Sequence, residues 1–70
     1  MTPKLDLDNL FKYHPPKGDQ VQRYAEIREA AQAFSQVIVD LTPASPEQTL
    51  AVRKVHDAMM QANSAIACNE

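Results

Sequence analysis

Tyr13, His14, Lys17 and Arg28 are the residues of this chain whose types and spacing could act on a ligand. The first three lie in YHPPKGDQ, Tyr13 to Gln20, which holds the only glycine and two of the five prolines. Both prolines fix φ, and Pro16 pushes Pro15 towards the extended region. Tyr13 and His14 therefore sit on a stiff arm that loses little entropy on binding. Gly18 supplies the positive φ needed to turn into the helix that follows. The free N–H groups at the start of that helix favour an anion. Arg28 falls about two and a half turns further on, beside the apolar seam, where it could reach across an interface to a phosphate. A tyrosine ring that stacks a base and an arginine that grips a phosphate form a minimal nucleotide-binding set. The same residues also fit a ring packed over the helices, with the prolines only orienting it. Both readings stand on the residues alone.

Other chemistry finds little support. Ser35, Ser45 and Ser64 lack a glycine-flanked nucleophile elbow, and Ser45 is better placed as a helix cap. No spacing points to a dyad of Cys68 with His56, and Glu26 and Glu29 suit a solvated face. His14 and His56 are far apart, and neither has a second His or Cys at metal-ligand spacing. The expectation is a non-enzyme with no catalytic residue, no metal and no cofactor. The net charge of −2 excludes a global field that would draw nucleic acid. Between Phe11 and Arg28, however, four cations face two acids (Asp19 and Glu26). Ordinary charge mixing on a solvated helix face also accounts for that local excess.

Two long helices must position these groups. Residues 1–18 read as an N-terminal arm, in which LDLDNLF could make a helical turn or stay extended. The first long helix is expected over 19–41, with Asp19 as its cap. Its apolar positions Tyr24, Ile27, Ala31, Phe34, Ile38 and Leu41 alternate by three and four, as in a heptad seam. Pro43 disfavours helical geometry at Thr42 and ends it. SPEQ then starts a second helix over 45–68, with Ser45 as cap, Pro46 at the first helical position and Gln48 at the capping-box position. Its seam is Val52, Val55, Met59, Ala62 and Ile66. So short a connection predicts an antiparallel hairpin and an all-α, single-domain fold.

Size then bears on assembly. Seventy residues rarely bury enough apolar surface alone, and one cysteine permits no internal disulfide. A lone cysteine suits a reducing compartment. Lys4 is followed by LDLDNLF rather than by a leader's apolar core, and no apolar run reaches bilayer length. These features predict a cytosolic chain without a membrane partner. Ala51, Ala58 and Ala65 form a small-residue stripe beside the second seam. Alanine is also simply a good helix former. With Val37, Val39 and Met60 in addition, there is more apolar surface than one partner helix covers, so a compact homo-oligomer is expected.

The run YHPPKGDQVQRYAEIREAA, followed by TPASPEQTLAVRKVHDAMMQANSAIACNE, resembles the phage-encoded anti-CBASS cyclic-oligonucleotide sponges. Those proteins share their helical hairpin with part of a phage anti-Thoeris protein. The resemblance extends from about Phe11 to Glu70, and its most specific pieces are Tyr-His-Pro-Pro, RYxxIRxAA and AMxxANxAIA. It implies a homo-oligomer, typically a hexamer, acting in the cytoplasm of the infected bacterial host. There it would bind cyclic di- or trinucleotide messengers at subunit interfaces without cleaving them, so that a self-destructive effector stays off. It also implies that Tyr13 stacks on the bases of a cyclic dinucleotide such as 3′,3′-cGAMP and Arg28 meets its phosphates, with His14 and Lys17 at the rim.

Two departures stand out. Family members often carry an aromatic residue where this chain has Gln61, and an arginine where it has Cys68. That arginine belongs to a second pocket, for cyclic trinucleotides. The rival from another class is a small helical adaptor that binds a protein through its alanine stripe.

Overall fold

The structure is a computed structural model in which residues 5–70 are described. The first four residues of the expected arm, with Lys4 of the leader argument, lie outside the described residues. Three helices follow one another: α1 (Leu7–Phe11), α2 (Gln20–Leu41) and α3 (Pro46–Asn69). Among the described residues there is no strand. α2 and α3 pack against each other as an antiparallel hairpin, and α1 with the arm folds back onto the end of α3.

The turn between the long helices is held by polar groups specified locally. Thr42 leaves the helical region with φ −125° and ψ 153°, while its N–H and hydroxyl both donate to the Ile38 carbonyl. Ser45 is extended, and its Oγ accepts from the Gln48 N–H at 3.1 Å, with Pro46 opening α3 behind it. The Gln48 side chain departs from the capping-box expectation. Its Nε2 points back across the turn to the Thr42 carbonyl at 3.0 Å and the Val39 carbonyl at 3.3 Å. One glutamine thus satisfies carbonyls left open at the end of α2.

At the other end, Gly18 has φ +55°, the left-handed turn expected of it. Asp19 does not cap α2 with its side chain. Its carboxylate lies 3.2 Å from Arg23 Nε, one turn along, because an arginine four residues on offers a charged partner. α1 does form a helical turn, capped by Asp6, whose Oδ1 accepts from the Asn9 N–H at 3.1 Å.

The seam of α3 is as the spacing predicts: Val52, Val55, Met59, Ala62 and Ile66 are all half-buried. On α2 the seam runs through Tyr24, Ile27, Ala31, Ser35 and Ile38, while Phe34 and Leu41 are 58% and 78% exposed. A straight helix drifts about 20° per heptad against a strict seven-residue repeat. After two heptads that drift turns Phe34 and Leu41 onto the flank and brings Ser35 inward.

Two helices cannot enclose what they carry. No described hydrophobic residue is fully buried. The accessible surface is 5827 Å², against roughly 4400 Å² for a compact chain of this mass. The radius of gyration is 15.0 Å, against roughly 11 Å for a compact domain of this length.

Because Ser45 is the only side-chain N-cap on the two long helices, Ser45→Ala is expected to destabilise the protein by about 1 kcal/mol. Urea unfolding at fixed protein concentration would show this as a lower midpoint with an unchanged slope.

Candidate ligand-binding site

The arm is tied down at both ends of its double proline. On the near side, Asn9 Nδ2 donates to the Cys68 carbonyl at 2.9 Å, and the Asn9 carbonyl accepts from the His14 ring Nε2 at 2.7 Å. Since a carbonyl can only accept, Nε2 of His14 carries the proton. The Cys68 thiol points at the same carbonyl, 3.8 Å away, and lies 3.6 Å from Ser64 Oγ. On the far side, Lys17 Nζ donates to the Glu70 carbonyl at 3.1 Å. Its backbone N–H donates to Gln20 Oε1 at 3.0 Å, and its carbonyl accepts from the Gln20 N–H.

Gln20 is the most enclosed residue described, 4% exposed. A buried amide is costly unless its groups are paired. Its oxygen meets Lys17, and its Nε2 donates to Glu70 Oε1 at 3.2 Å. Arg23 completes the cluster with both guanidinium arms, one on each Glu70 carboxylate oxygen. Near the helix start that was expected to attract an anion, the Gln20 and Arg23 side chains thus hold the chain's own carboxylate.

These contacts shift both charges. The hydrogen bonds from Arg23, then from Gln20, lower Glu70 from 4.5 to about 2. The bond to Glu70 pushes Arg23 above the usual guanidinium range.

The four residues singled out in the sequence fall into two places. Tyr13 stands on the arm 78% exposed as a residue, so it does not pack over the hairpin within one chain. His14 and Lys17, expected at a ligand's rim, have internal partners that hold the arm. Arg28 lies about 12 Å along α2 from its first residue. It lines an open groove of about 360 Å³ with Ala31, Gln32, Ser35, Val52, His56 and Met59. None of the described arm residues lines that groove. Among the described residues, Arg28 has no ion-pair partner, in contrast to Arg23.

The groove offers one unpaired cation, the side chains of Ser35, Gln32 and His56, and an apolar floor of Val52, Ala31 and Met59. That is the composition a nucleotide needs: charge for phosphate, hydrogen-bonding groups for base or sugar, and apolar contact for the base. His56 is twelve residues from Cys68 on one helix, about 18 Å along its axis, so the two form no dyad within a chain.

Sequence reasoning missed Asn9, Gln20, Arg23, Gln32, His56 and Glu70. The antiparallel register, read from the two seams, sets His56 opposite Gln32 and Glu70 opposite Gln20. It was the signal that could have paired those four, whereas no spacing marks Asn9 or Arg23.

The opposite flank of the hairpin carries a second groove, of about 430 Å³ and almost wholly apolar, between Phe34, Ile38, Ala51, Val55 and Ala58. Two members of the alanine stripe thus sit on an uncovered apolar face. Among the described residues no helix is long and apolar enough to cross a membrane.

Fold and site together define a helical-hairpin domain with a short, polar-anchored aromatic arm and open apolar flanks. A family model described as Acb2/Tad1, hairpin domain, matches residues 3–67. The chain belongs to that family, the anti-CBASS and anti-Thoeris sponges. Comparison with curated proteins and with solved structures gives no match.

Glu70 titrates below its ordinary value in the folded chain, so its contribution to stability is complete above about pH 4.5 and is lost as the pH falls towards 2. Carboxyl chemical shifts of Glu70 should have a midpoint near 2 and stay flat from pH 5 to 8. A midpoint at 4.5 would mean that the Arg23 contact does not form in solution.

Proposed function

We propose that this protein is a non-enzymatic sponge for cyclic oligonucleotide second messengers, principally cyclic dinucleotides such as 3′,3′-cGAMP. By sequestering the messenger inside the infected bacterial cell it keeps a CBASS effector from being switched on. Membership of the Acb2/Tad1 hairpin family, over residues 3–67, is the observation that carries this reading.

The geometry supports it at the level of the site. Tyr13 is a free aromatic face on a fixed arm, and Arg28 is an unpaired cation beside an apolar floor. In one chain they are apart. A second copy that covers the exposed flanks would bring the arm of one chain to the groove of the other. A cyclic dinucleotide is nearly two-fold symmetric, and a two-fold interface offers one tyrosine and one arginine to each half. Burial between copies excludes water and strengthens the contacts of Arg28 to phosphate. His14 and Lys17 act at the rim by holding the arm in place. Contacts with further copies on the opposite flank cover Phe34, which one chain leaves exposed. The ligand site then lies at one of the interfaces of the oligomer, a hexamer in this reading.

Cys68 bears on ligand choice. It is half-buried at the contact with Asn9 and offers no charge to a phosphate. The trinucleotide pocket therefore lacks its arginine, and dinucleotides are the principal ligands.

Titration calorimetry with 3′,3′-cGAMP should give sub-micromolar binding, and heating the complex should return the ligand intact. Recovery of a cleaved product, or no binding below about micromolar, overturns the proposal. Tyr13→Ala is expected to weaken binding about tenfold or more, from the loss of one stacked base per tyrosine. Arg28→Ala should weaken it further, and Arg28→Lys much less. A protein adaptor would show no nucleotide affinity and no effect of Tyr13→Ala. Sedimentation should give a mass several times that of the 7.8 kDa chain. A monomer at micromolar concentration would remove the shared-interface argument.

A further inference from the structure

Hydrophobic burial within one chain does little to hold the arm. Leu5, Leu7, Leu10, Phe11 and Tyr13 are all exposed. α1 has five residues, far too few for a helix that is stable without support. What fixes the arm is polar, and both fixed points lie on the last turn of α3. Asn9 grips the carbonyl of Cys68, and Lys17 with Gln20 grips Glu70. Tyr13, His14, Pro15 and Pro16 span the gap between them. A stiff segment held at both ends has one position, and the same segment released at one end sweeps a cone.

Glu70 is the stronger of the two anchors. Both its carboxylate oxygens are engaged by Arg23, one also takes the Gln20 amide, and Asp19 steadies Arg23 from the turn before. A bidentate arginine–carboxylate pair fixes orientation as well as distance.

The geometry points to a latch: Glu70, gripped by Arg23, Gln20 and Lys17, fixes the arm on the end of α3 and so sets the position from which Tyr13 meets its ligand. Arg23 and Glu70 are positioning residues that do not themselves touch the ligand. The ligand half of this statement rests on the sponge reading, and the arm half does not.

The sign of one substitution separates the latch from plain electrostatics. Glu70→Gln removes a negative charge from a protein that binds an anion. Charge alone then predicts equal or tighter binding. The latch predicts weaker binding, since apparent affinity falls with the fraction of arms in the competent position.

The experiment measures backbone order for residues 12–18 by ¹⁵N relaxation without nucleotide, and affinity for 3′,3′-cGAMP by calorimetry. It compares the wild-type chain, Glu70→Gln, Arg23→Gln and Arg23→Lys, the first two substitutions also in a Tyr13→Ala background. The arm's order parameters are expected to fall from about 0.8 to below about 0.6 in Glu70→Gln and Arg23→Gln, with the centres of α2 and α3 unchanged. Affinity should fall about five- to tenfold, with Arg23→Lys in between. In the Tyr13→Ala background the loss should nearly vanish, because the latch acts through that ring.

Unchanged arm order in both Glu70→Gln and Arg23→Gln overturns the latch. So does tighter binding by Glu70→Gln, or an equal loss with and without the Tyr13 ring. A wild-type chain that binds no cyclic dinucleotide, yet whose arm loosens in Glu70→Gln, would sink the sponge reading and leave the latch standing.

Discussion

The seam between α2 and α3 is a strip one side chain wide, and the rest of the structure follows from how little it encloses. Tyr24, Ile27, Ala31 and Ile38 meet Val52, Val55, Met59, Ala62 and Ile66, and each remains only half-buried. A third layer would complete the core, and α1 with its arm does not form one, since Leu7, Leu10 and Phe11 stay exposed. Apolar side chains therefore stand on both flanks, with Phe34 and the alanines on one side and Val52 and Met59 on the other. The small enclosed area of the single chain and its exposed apolar flanks have the same cause.

Polar contacts take over where apolar burial ends. At the turn, Ser45, Thr42 and Gln48 satisfy the open ends of both helices. At the opposite end, Gln20, Arg23 and Glu70 do the same for the arm. The two ends differ in reach. The turn uses residues within nine positions of one another, whereas the arm is held by groups about fifty or more positions apart. The turn is consequently fixed by local geometry, while the arm depends on α3 already being in place.

This division suits a binding protein. The hairpin supplies a rigid wall with Arg28, and the arm supplies an aromatic face whose position is separately held. Charge is divided in the same way. Arg23 is neutralised inside the chain by Asp19 and Glu70, whereas Arg28 lines the open groove with no ion-pair partner among the described residues.

Local patterns determined the helices and their ends: Ser45 with Pro46, Pro43 after Leu41, the positive φ of Gly18, and the seam of α3. Each depends on neighbours in sequence, so one chain read left to right suffices. The tertiary structure decided the rest. Phe34 and Leu41 left the seam because a straight helix drifts against a seven-residue repeat. Asp19 gave up its capping role to Arg23, and Gln48 turned from its own helix to the end of the other. The seams' register could pair Glu70 with Gln20, but nothing near Glu70 marks it, and the grip of Arg23 and Lys17 on it depends on side chains set in space. The separation of Tyr13 from Arg28 likewise appears only when register and arm are set in space, because it depends on where two helices cross and not on what either one contains.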